Sequence, residues 1–170
     1  MAQPVKAIPD GYHTITPMLT VRDAARAIEF YKKAFNAQQL YRMNGPDGKV
    51  MHAEIKIGNS ICMLGEENPQ MGCQSPVTLK GTPISLYLYV ENVDAAFNQA
   101  VKAGAKVEMP VADMFWGDRF GQVSDPSGHR WSLATHKEDL TPEQVGQRAQ
   151  KFFAENAKAG AQRPQSVSVK

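Results

Sequence analysis

One order of predicted elements occurs twice along this chain: a strand, a helix and three further strands. The clearest echo lies where the first strand meets its helix, since Leu-Thr-Val-Arg-Asp at 19–23 corresponds to Leu-Tyr-Val-Glu-Asn at 88–92. Identity between the two copies is otherwise low, so the repeat is one of pattern. A supersecondary unit of this size does not bury its apolar face alone, and the duplication therefore predicts that the two units pair.

The start of the first copy illustrates the pattern. Residues 13–21 alternate between apolar and polar side chains, which predicts a half-buried strand, and Pro17 indicates an edge or a bulge. Asp23 is a suitable N-cap for the next helix because its carboxylate accepts hydrogen bonds from free amides of the first turn. Asn36 is expected to end that helix as a left-handed C-cap. The helix has one apolar stripe, formed by Ala24, Ile28, Tyr31 and Phe35.

The other strands follow from alternation and turn signals. In the first copy they are expected at 39–43, 50–57 and 60–65, and in the second at 84–90, 106–110, 118–124 and 129–135, with a helix from Asn92 to Gly104. Residues 50–57 alternate cleanly. This pattern places Met51, Ala53, Ile55 and Ile57 on one face, and His52, Glu54 and Lys56 on the other.

The repeat divides the chain into an N-terminal arm (1–11), a first module (12–65), a linker rich in proline and glycine (66–82) and a second module (83–136). A C-terminal helix is predicted over 137–158, because Thr141, Pro142 and Gln144 form a capping box. The polar tail at 159–170 is expected to be disordered.

Charge and hydropathy exclude several classes of protein. Nineteen basic and 17 acidic residues give a net charge of +2, which argues against a dedicated nucleic-acid binder. No apolar run is long enough to span a membrane, and the N-terminus lacks the apolar segment of a secretory signal. Cys62 and Cys73 do not make a disulfide framework. We therefore expect a cytoplasmic protein with reduced thiols.

The duplicated unit resembles the vicinal oxygen chelate superfamily, which includes glyoxalase I, extradiol dioxygenases, and fosfomycin- and bleomycin-resistance proteins. Residues 19–37 look like its opening strand and helix. Residues 120–129, with an Asp-Pro-Ser-Gly turn, look like its closing hairpin. Trp116-Gly117 is similar to the tryptophan-glycine that precedes this hairpin in bleomycin-resistance members. The likeness covers about residues 12–136, and it is more specific for fold than for function.

The resemblance implies an α+β fold in which two βαβββ modules form facing, cupped sheets around a cavity, with helices on the outside and a C-terminal helix added. It also implies a homodimer. If the apolar faces lie under the helices, the mixed faces line the cavity. This assignment places Thr14, Thr16, Met18, His52, Glu54, Tyr87 and Tyr89 inside.

The resemblance also bears on metal binding. In metal-using members the ligands lie on the first and fourth strand of each module, and these positions correspond here to Thr16, Met63, Ser85 and Ser132. None of the four is a usual ligand of a divalent cation, which prefers imidazole, carboxylate or thiolate. His136 has the same parity as Ser132 but is expected past the end of the strand. We therefore expect no metal and no cofactor, with a divalent metal ion as the alternative.

Several residues are candidates for binding or catalysis. His52 and Glu54 share one face of a strand, so they can act as base and orienting partner or form an ordinary polar pair. Tyr87 and Tyr89 suit either a pocket wall or a hydrated face. Trp116, Asp118 and Phe120 are expected at the cavity mouth, as ligand contacts or as a structural plug. Arg130 and Ser132 share a face of the last strand, where Arg130 can meet an anion or form a salt bridge.

Three functions remain open. The first is binding of a small organic molecule without catalytic metal. The second is a lyase or isomerase of the glyoxalase type, with Glu54 as the base. The third is a structural or interaction protein whose cavity is filled by its own side chains. No nucleic acid or membrane partner is expected for any of them.

Overall fold

The computed structural model describes the backbone of residues 5–161 and the side chains of residues 5–157. The first module contains β1 (Met18–Val21), α1 (Ala24–Phe35), β2 (Gln38–Asn44), β3 (Val50–Ile57) and β4 (Ser60–Glu66). The linker contains a 3-10 turn (Pro69–Met71) and α2 (Pro76–Leu79). The second module contains β5 (Ser85–Tyr89), α3 (Val93–Ala103), β6 (Lys106–Asp113), β7 (Asp118–Ser124) and β8 (Arg130–His136), and α4 (Pro142–Ala161) follows. The predicted disordered tail lies, from residue 162 onward, outside the described residues.

Each module forms one four-stranded mixed sheet. The strand orders are β1-β4-β3-β2 and β5-β8-β7-β6. In both sheets the first pair is parallel and the other two pairs are antiparallel. The predicted α+β fold, with two βαβββ modules and a C-terminal helix, is therefore confirmed. Among residues 5–161 no helix is long and apolar enough to cross a membrane.

The helix ends follow the sequence signals. The Asp23 carboxylate accepts a hydrogen bond from the Arg26 amide at 2.9 Å, and Asn92 caps α3 in the same way. Asn36, with φ +54°, and Gly104, with φ +109°, are the left-handed C-caps. The capping box of α4 also forms, because the Thr141 amide donates to Gln144 Oε1 and the Gln144 amide to Thr141 Oγ1.

Helices α1 and α3 lie at the junction of the two modules, where they pack against each other. This arrangement corrects the expectation that helices cover the outside. The Phe35 and Trp131 rings are 4.7 Å apart across the junction, within one continuous apolar core. The Tyr31 hydroxyl, fully buried, donates to the Asp125 carboxylate at 2.6 Å. The opposite faces of both sheets, expected to line a cavity, are open in the single chain.

Two local predictions are wrong. Strand β1 begins at Met18 rather than at His13, because Pro17 has no amide proton for a ladder and the Thr16 hydroxyl turns back to the His13 carbonyl. Met51 was placed on the apolar face of β3 but is 58% exposed, while Val50 is buried. The cause is a register irregularity between Met43 and Asn44, which shifts the pairing at this end of the strand.

Candidate functional site

A buried carboxylate organises the open face of the second module. Asp118, at the start of β7, is only 4% exposed. Its Oδ2 atom accepts hydrogen bonds from the Tyr89 hydroxyl at 3.0 Å, the Trp116 indole at 3.1 Å and the Tyr87 hydroxyl at 3.3 Å. Its Oδ1 atom lies 2.9 Å from His136 Nδ1. One side chain thus fixes the positions of four others.

Sheet geometry and one loop bring these residues together. Tyr87 and Tyr89 lie two residues apart on β5, so their side chains leave the same face. The β7–β8 register places Asp118 opposite His136. Trp116 is held by the next residue, Gly117, whose φ is +99° and whose added Cβ would lie 2.5 Å from the Glu138 carbonyl oxygen. Only glycine allows the chain that follows β8 to pass so close to this loop.

His136 is a site residue that the sequence analysis did not include. It was expected past the end of the last strand, but it is the final residue of β8 and joins the cluster. Its Nε2 atom also lies 3.0 Å from the Asp139 carboxylate. Hydrogen bonds to Asp118 and then to Asp139 raise the pKa of His136 above its ordinary value of 6.5. Its parity with Ser132 was the available sequence signal.

The charge state of Asp118 results from two opposing effects. Burial raises the pKa of the Asp118 carboxyl, but the hydrogen bonds from His136, Tyr89, Trp116 and Tyr87 lower it by more. The pKa therefore lies below 3.8, and the group is a carboxylate at neutral pH. Burial and this negative charge raise the pKa values of Tyr87 and Tyr89, so both hydroxyls stay protonated and act as donors.

The three rings bonded to Asp118 and the neighbouring Phe120 ring form one aromatic surface. We call it the aromatic wall and define it as Tyr87, Tyr89, Trp116 and Phe120. The centroids of the two tyrosine rings are 5.1 Å apart, and Phe120 is 5.7 Å from both Tyr87 and Trp116. Tyr87 and Tyr89 are 47% and 61% exposed, so their rings face the open side of the sheet. A rigid and accessible aromatic surface can stack on a planar group or contact a cation.

Helix α4 supports the wall from its edge. Phe115, next to Trp116, contacts both Phe152 and Phe153 of the helix, with centroids 5.3 and 5.8 Å apart. The Arg148 guanidinium forms an ion pair with Glu138 at 2.7 Å, which ties the helix to the segment that covers Gly117. The C-terminal helix therefore belongs to the structure of the site.

Ser132 pairs with Tyr87 across β8 and β5 and so adjoins the wall, whereas Arg130 pairs with Ser85, farther along the strands. Ser132 is buried, and its hydroxyl lies 2.8 Å from Ser85 Oγ. It also accepts a hydrogen bond from the side-chain amide of Gln122, Nε2, at 3.0 Å. Arg130 lines a groove at the other end of β8, between the linker and β1. Of the predicted ligand contacts, Tyr87, Tyr89, Trp116, Asp118 and Phe120 are brought together, whereas Ser132 is buried and hydrogen-bonded to its neighbours Ser85 and Gln122.

The open face of the first module contains His52 and Glu54. Their side chains are half-buried, with 3.3 Å between Nε2 and Oε1. The Tyr41 and His52 rings are 6.2 Å apart, and a hydrogen bond to Glu54 raises the pKa of Tyr12. Thr16 lies before β1 rather than on it, so it does not belong to this face as a strand position.

The four residues at the expected metal-ligand positions do not suit a divalent cation. Ser85 and Ser132 hydrogen-bond to each other, Met63 offers a thioether, and Thr16 bonds to a backbone carbonyl. No group of three or more His, Cys, Asp or Glu side chains that could hold a metal ion occurs within the part of the chain that the structure describes.

Known proteins share this fold and sequence pattern. A family model described as the Glyoxalase/Bleomycin resistance protein/Dioxygenase superfamily matches residues 12–133. The uncharacterized protein Rv0887c of Mycobacterium tuberculosis is 44% identical over 134 residues, which are 77% of this chain and 79% of that protein.

Two solved structures match most of the two modules. TioX from Micromonospora sp. ML1 is 27% identical, with a TM-score of 0.59, over 73% of this chain and 98% of that one. The Arabidopsis thaliana gene product At5g48480 is 25% identical, with a TM-score of 0.59, over 72% and 98%. These comparisons confirm the resemblance drawn from residues 12–136.

Proposed function

This chain belongs to the Glyoxalase/Bleomycin resistance protein/Dioxygenase superfamily, and from that premise we propose that it binds a small organic molecule against the aromatic wall, without a catalytic metal. The observation that carries the proposal is the Asp118 hydrogen-bond cluster. A carboxylate that accepts bonds from Tyr87, Tyr89 and Trp116 holds three rings in place before any ligand arrives. Such preorganisation reduces the entropy lost on binding.

The chemistry of the wall favours a ligand with a planar or cationic group. The hydroxyls of Tyr87 and Tyr89 both point to Asp118, so the ring faces rather than the hydroxyls remain available. The negative charge beneath the rings also favours a positively charged ligand. Holding such a molecule requires no bond to break, so the proposed action is sequestration.

We propose that a second copy of the chain completes the cavity. In a single chain the open faces of both modules expose large aromatic side chains, Tyr41 on the first and Tyr87 and Tyr89 on the second. Exposed apolar side chains grouped on one face are typical of an interface. In a homodimer the face of one copy would cover the face of the other and enclose the ligand between them.

A second candidate, a lyase or isomerase, is favoured by the His52–Glu54 pair. Glu54 would remove a proton from the carbon next to a carbonyl and return it to a neighbouring atom, with His52 orienting the carboxylate at 3.3 Å. This reaction needs no oxidant and no group from outside the substrate. The two candidates use different modules and are therefore separable by substitution.

The binding proposal is tested with proflavine, a planar aromatic cation, in calorimetric titrations of the full chain. We expect saturable binding, and a loss of about tenfold in affinity for Tyr89→Leu, because one stacked ring contributes about 1.4 kcal/mol. The control is Met71→Ala, which removes an exposed apolar side chain from the linker turn, outside both sheets. Equal losses for the two variants, or no saturable binding to the native chain, would refute the proposal.

The lyase or isomerase candidate is tested with hydroxyacetone in D2O. NMR would detect deuterium entering the carbon next to the carbonyl, and Glu54→Gln should stop this exchange. If the native chain gives no exchange above buffer, or if Glu54→Gln exchanges at the native rate, Glu54 is not a base for this chemistry. Neither outcome affects the proflavine result.

A further inference from the structure

A cavity lies between the two modules, beside the edge strands β1 and β5. It is a groove of about 390 Å³, lined by β1 and the residues before it, by the linker, by the start of β5 and by the turn before β8. We call it the inter-module groove. Its apolar walls include Met18, Leu79, Ile84 and Leu86. Its size lies within the range of about 300–1,000 Å³ found for small-molecule sites.

The charge of the inter-module groove has one sign. Among its lining residues only His129 and Arg130 have ionisable side chains, and none is acidic. Within the described side chains the Arg130 guanidinium forms no ion pair within 4.0 Å. Arg130 helps to lower the pKa of the Glu108 carboxyl, but this carboxylate accepts a hydrogen bond from Ser124 and forms its ion pair with Lys106. A positive charge without a close partner at one end of an apolar groove is complementary to an anion with an apolar body.

His129 lies at the same end of the groove and next to a buried carboxylate. Its side chain is only 11% exposed, and its Nδ1 atom is buried 3.5 Å from Asp125 Oδ2 with no hydrogen-bond partner. Asp125 is itself fixed, since Tyr31 donates to it at 2.6 Å and Trp131 at 3.0 Å. Because Nδ1 faces this buried carboxylate, Nε2 is the ring nitrogen left for a ligand.

We propose that the inter-module groove binds an apolar monocarboxylate of the kind of a medium-chain fatty acid. The hydrocarbon chain would lie along Met18, Leu79 and Leu86, and the carboxylate would accept hydrogen bonds from the Arg130 guanidinium. The ligand would touch both modules and the linker, so binding should raise the unfolding temperature of the whole chain. None of the residues that line this groove belongs to the aromatic wall, and the proposal does not depend on the function proposed above.

The test is a calorimetric titration of the full chain with sodium decanoate at neutral pH and below its micelle concentration. We expect one saturable site, and affinity lower by about tenfold for 1-decanol, which has the same apolar chain but no charge. Decanol binding as tightly as decanoate would overturn the proposal, because the groove would then be merely apolar. Failure of decanoate to saturate would overturn it as well.

Three substitutions place the ligand in the groove. Arg130→Gln should weaken decanoate binding about tenfold, whereas Arg42→Gln, which removes an arginine from β2 outside the groove, should not. Ile84→Glu puts a carboxylate into the groove at a position that is 67% exposed, so the chain should fold and lose decanoate binding. Native affinity in Ile84→Glu, or equal losses in the two arginine variants, would refute the assignment.

A variant of the aromatic wall separates this proposal from the previous one. Tyr89→Leu should bind decanoate with native affinity even where it loses proflavine. A loss of decanoate binding in Tyr89→Leu would show that the acid occupies the wall rather than the inter-module groove, and would overturn the proposal. Native decanoate binding together with absent proflavine binding would instead refute only the proposed function.

Discussion

Replacing Asp118 with asparagine tests the reasoning about the candidate site most directly. The substitution keeps the shape of the side chain but removes its negative charge and one of its two acceptor oxygens. Four donors depend on that carboxylate: three on Oδ2 and one on Oδ1. The hydroxyls of Tyr87 and Tyr89 belong to exposed rings and can turn to water, so their loss should cost little. The His136 side chain is 53% exposed and can also turn to water, whereas the partly buried Trp116 indole has fewer alternatives.

The expected loss of stability follows mainly from the Trp116 contact. A hydrogen bond to a charged group contributes about 1.5–3 kcal/mol and a neutral one about 0.5–1.5 kcal/mol, so this contact should lose about 1 kcal/mol. We therefore expect Asp118→Asn to reduce the free energy of unfolding by about 1 kcal/mol. Urea denaturation at pH 7 measures this change, and the m-value should stay unchanged because the same surface is exposed on unfolding.

The control for this experiment is Asp113→Asn. Asp113 also accepts a hydrogen bond, from Arg119 at 3.1 Å, but its side chain is largely exposed. A surface ion pair contributes about 0–1 kcal/mol, so the control should change stability by less than about 0.5 kcal/mol. If Asp118→Asn has as small an effect as the control and proflavine affinity is unchanged, Asp118 does not organise the wall.

Three further predictions concern the junction, the pH dependence and the loop. Tyr31→Phe removes the buried 2.6 Å bond to Asp125 and should cost about 1.5–3 kcal/mol in urea denaturation, which an effect below about 0.5 kcal/mol would contradict. The pKa of His136 is raised in the folded state, so its contribution to stability should be complete below pH 6.5 and lost as the pH rises through the folded pKa. Urea midpoints measured against pH should show this loss, and His136→Gln should remove it. Gly117→Ala should cost about 1–3 kcal/mol by thermal or urea unfolding, since φ is +99° and the Glu138 carbonyl oxygen blocks a Cβ, whereas Gly146→Ala meets open space and should not destabilise.

The sequence predicted the elements whose causes are local. The capped helices depend on side chains within a few residues of each end, such as Asp23 for α1 and Asn92 for α3, so their positions could be read directly. The residue at which β1 begins could not be predicted from the alternation of apolar and polar side chains. The pattern over 13–21 continues through Pro17, but the ladder with β4 begins only at Met18.

The sequence predicted most residues of the candidate site but not the contacts that join them. Tyr87 and Tyr89 were placed on one face because strand periodicity requires it. Their common acceptor, Asp118, lies 29 residues beyond Tyr89 on another strand, and the contact depends on the registers of β5, β8 and β7 together. His136 was missed because the end of β8 was placed one residue too early. Small errors of boundary therefore have large effects on a site assembled at strand ends.

The two ends of β7 show how one strand divides stability from binding. Asp118 begins the strand and Asp125 follows it, and each is a buried carboxylate that accepts hydrogen bonds from a tyrosine and a tryptophan. An odd difference in residue number places the two on opposite sides of an extended chain. Asp118 accordingly serves the open face, whereas Asp125 bonds to Tyr31 of the other module. A substitution at Asp125 should therefore loosen the junction and with it the inter-module groove, while a substitution at Asp118 should act first on the aromatic wall.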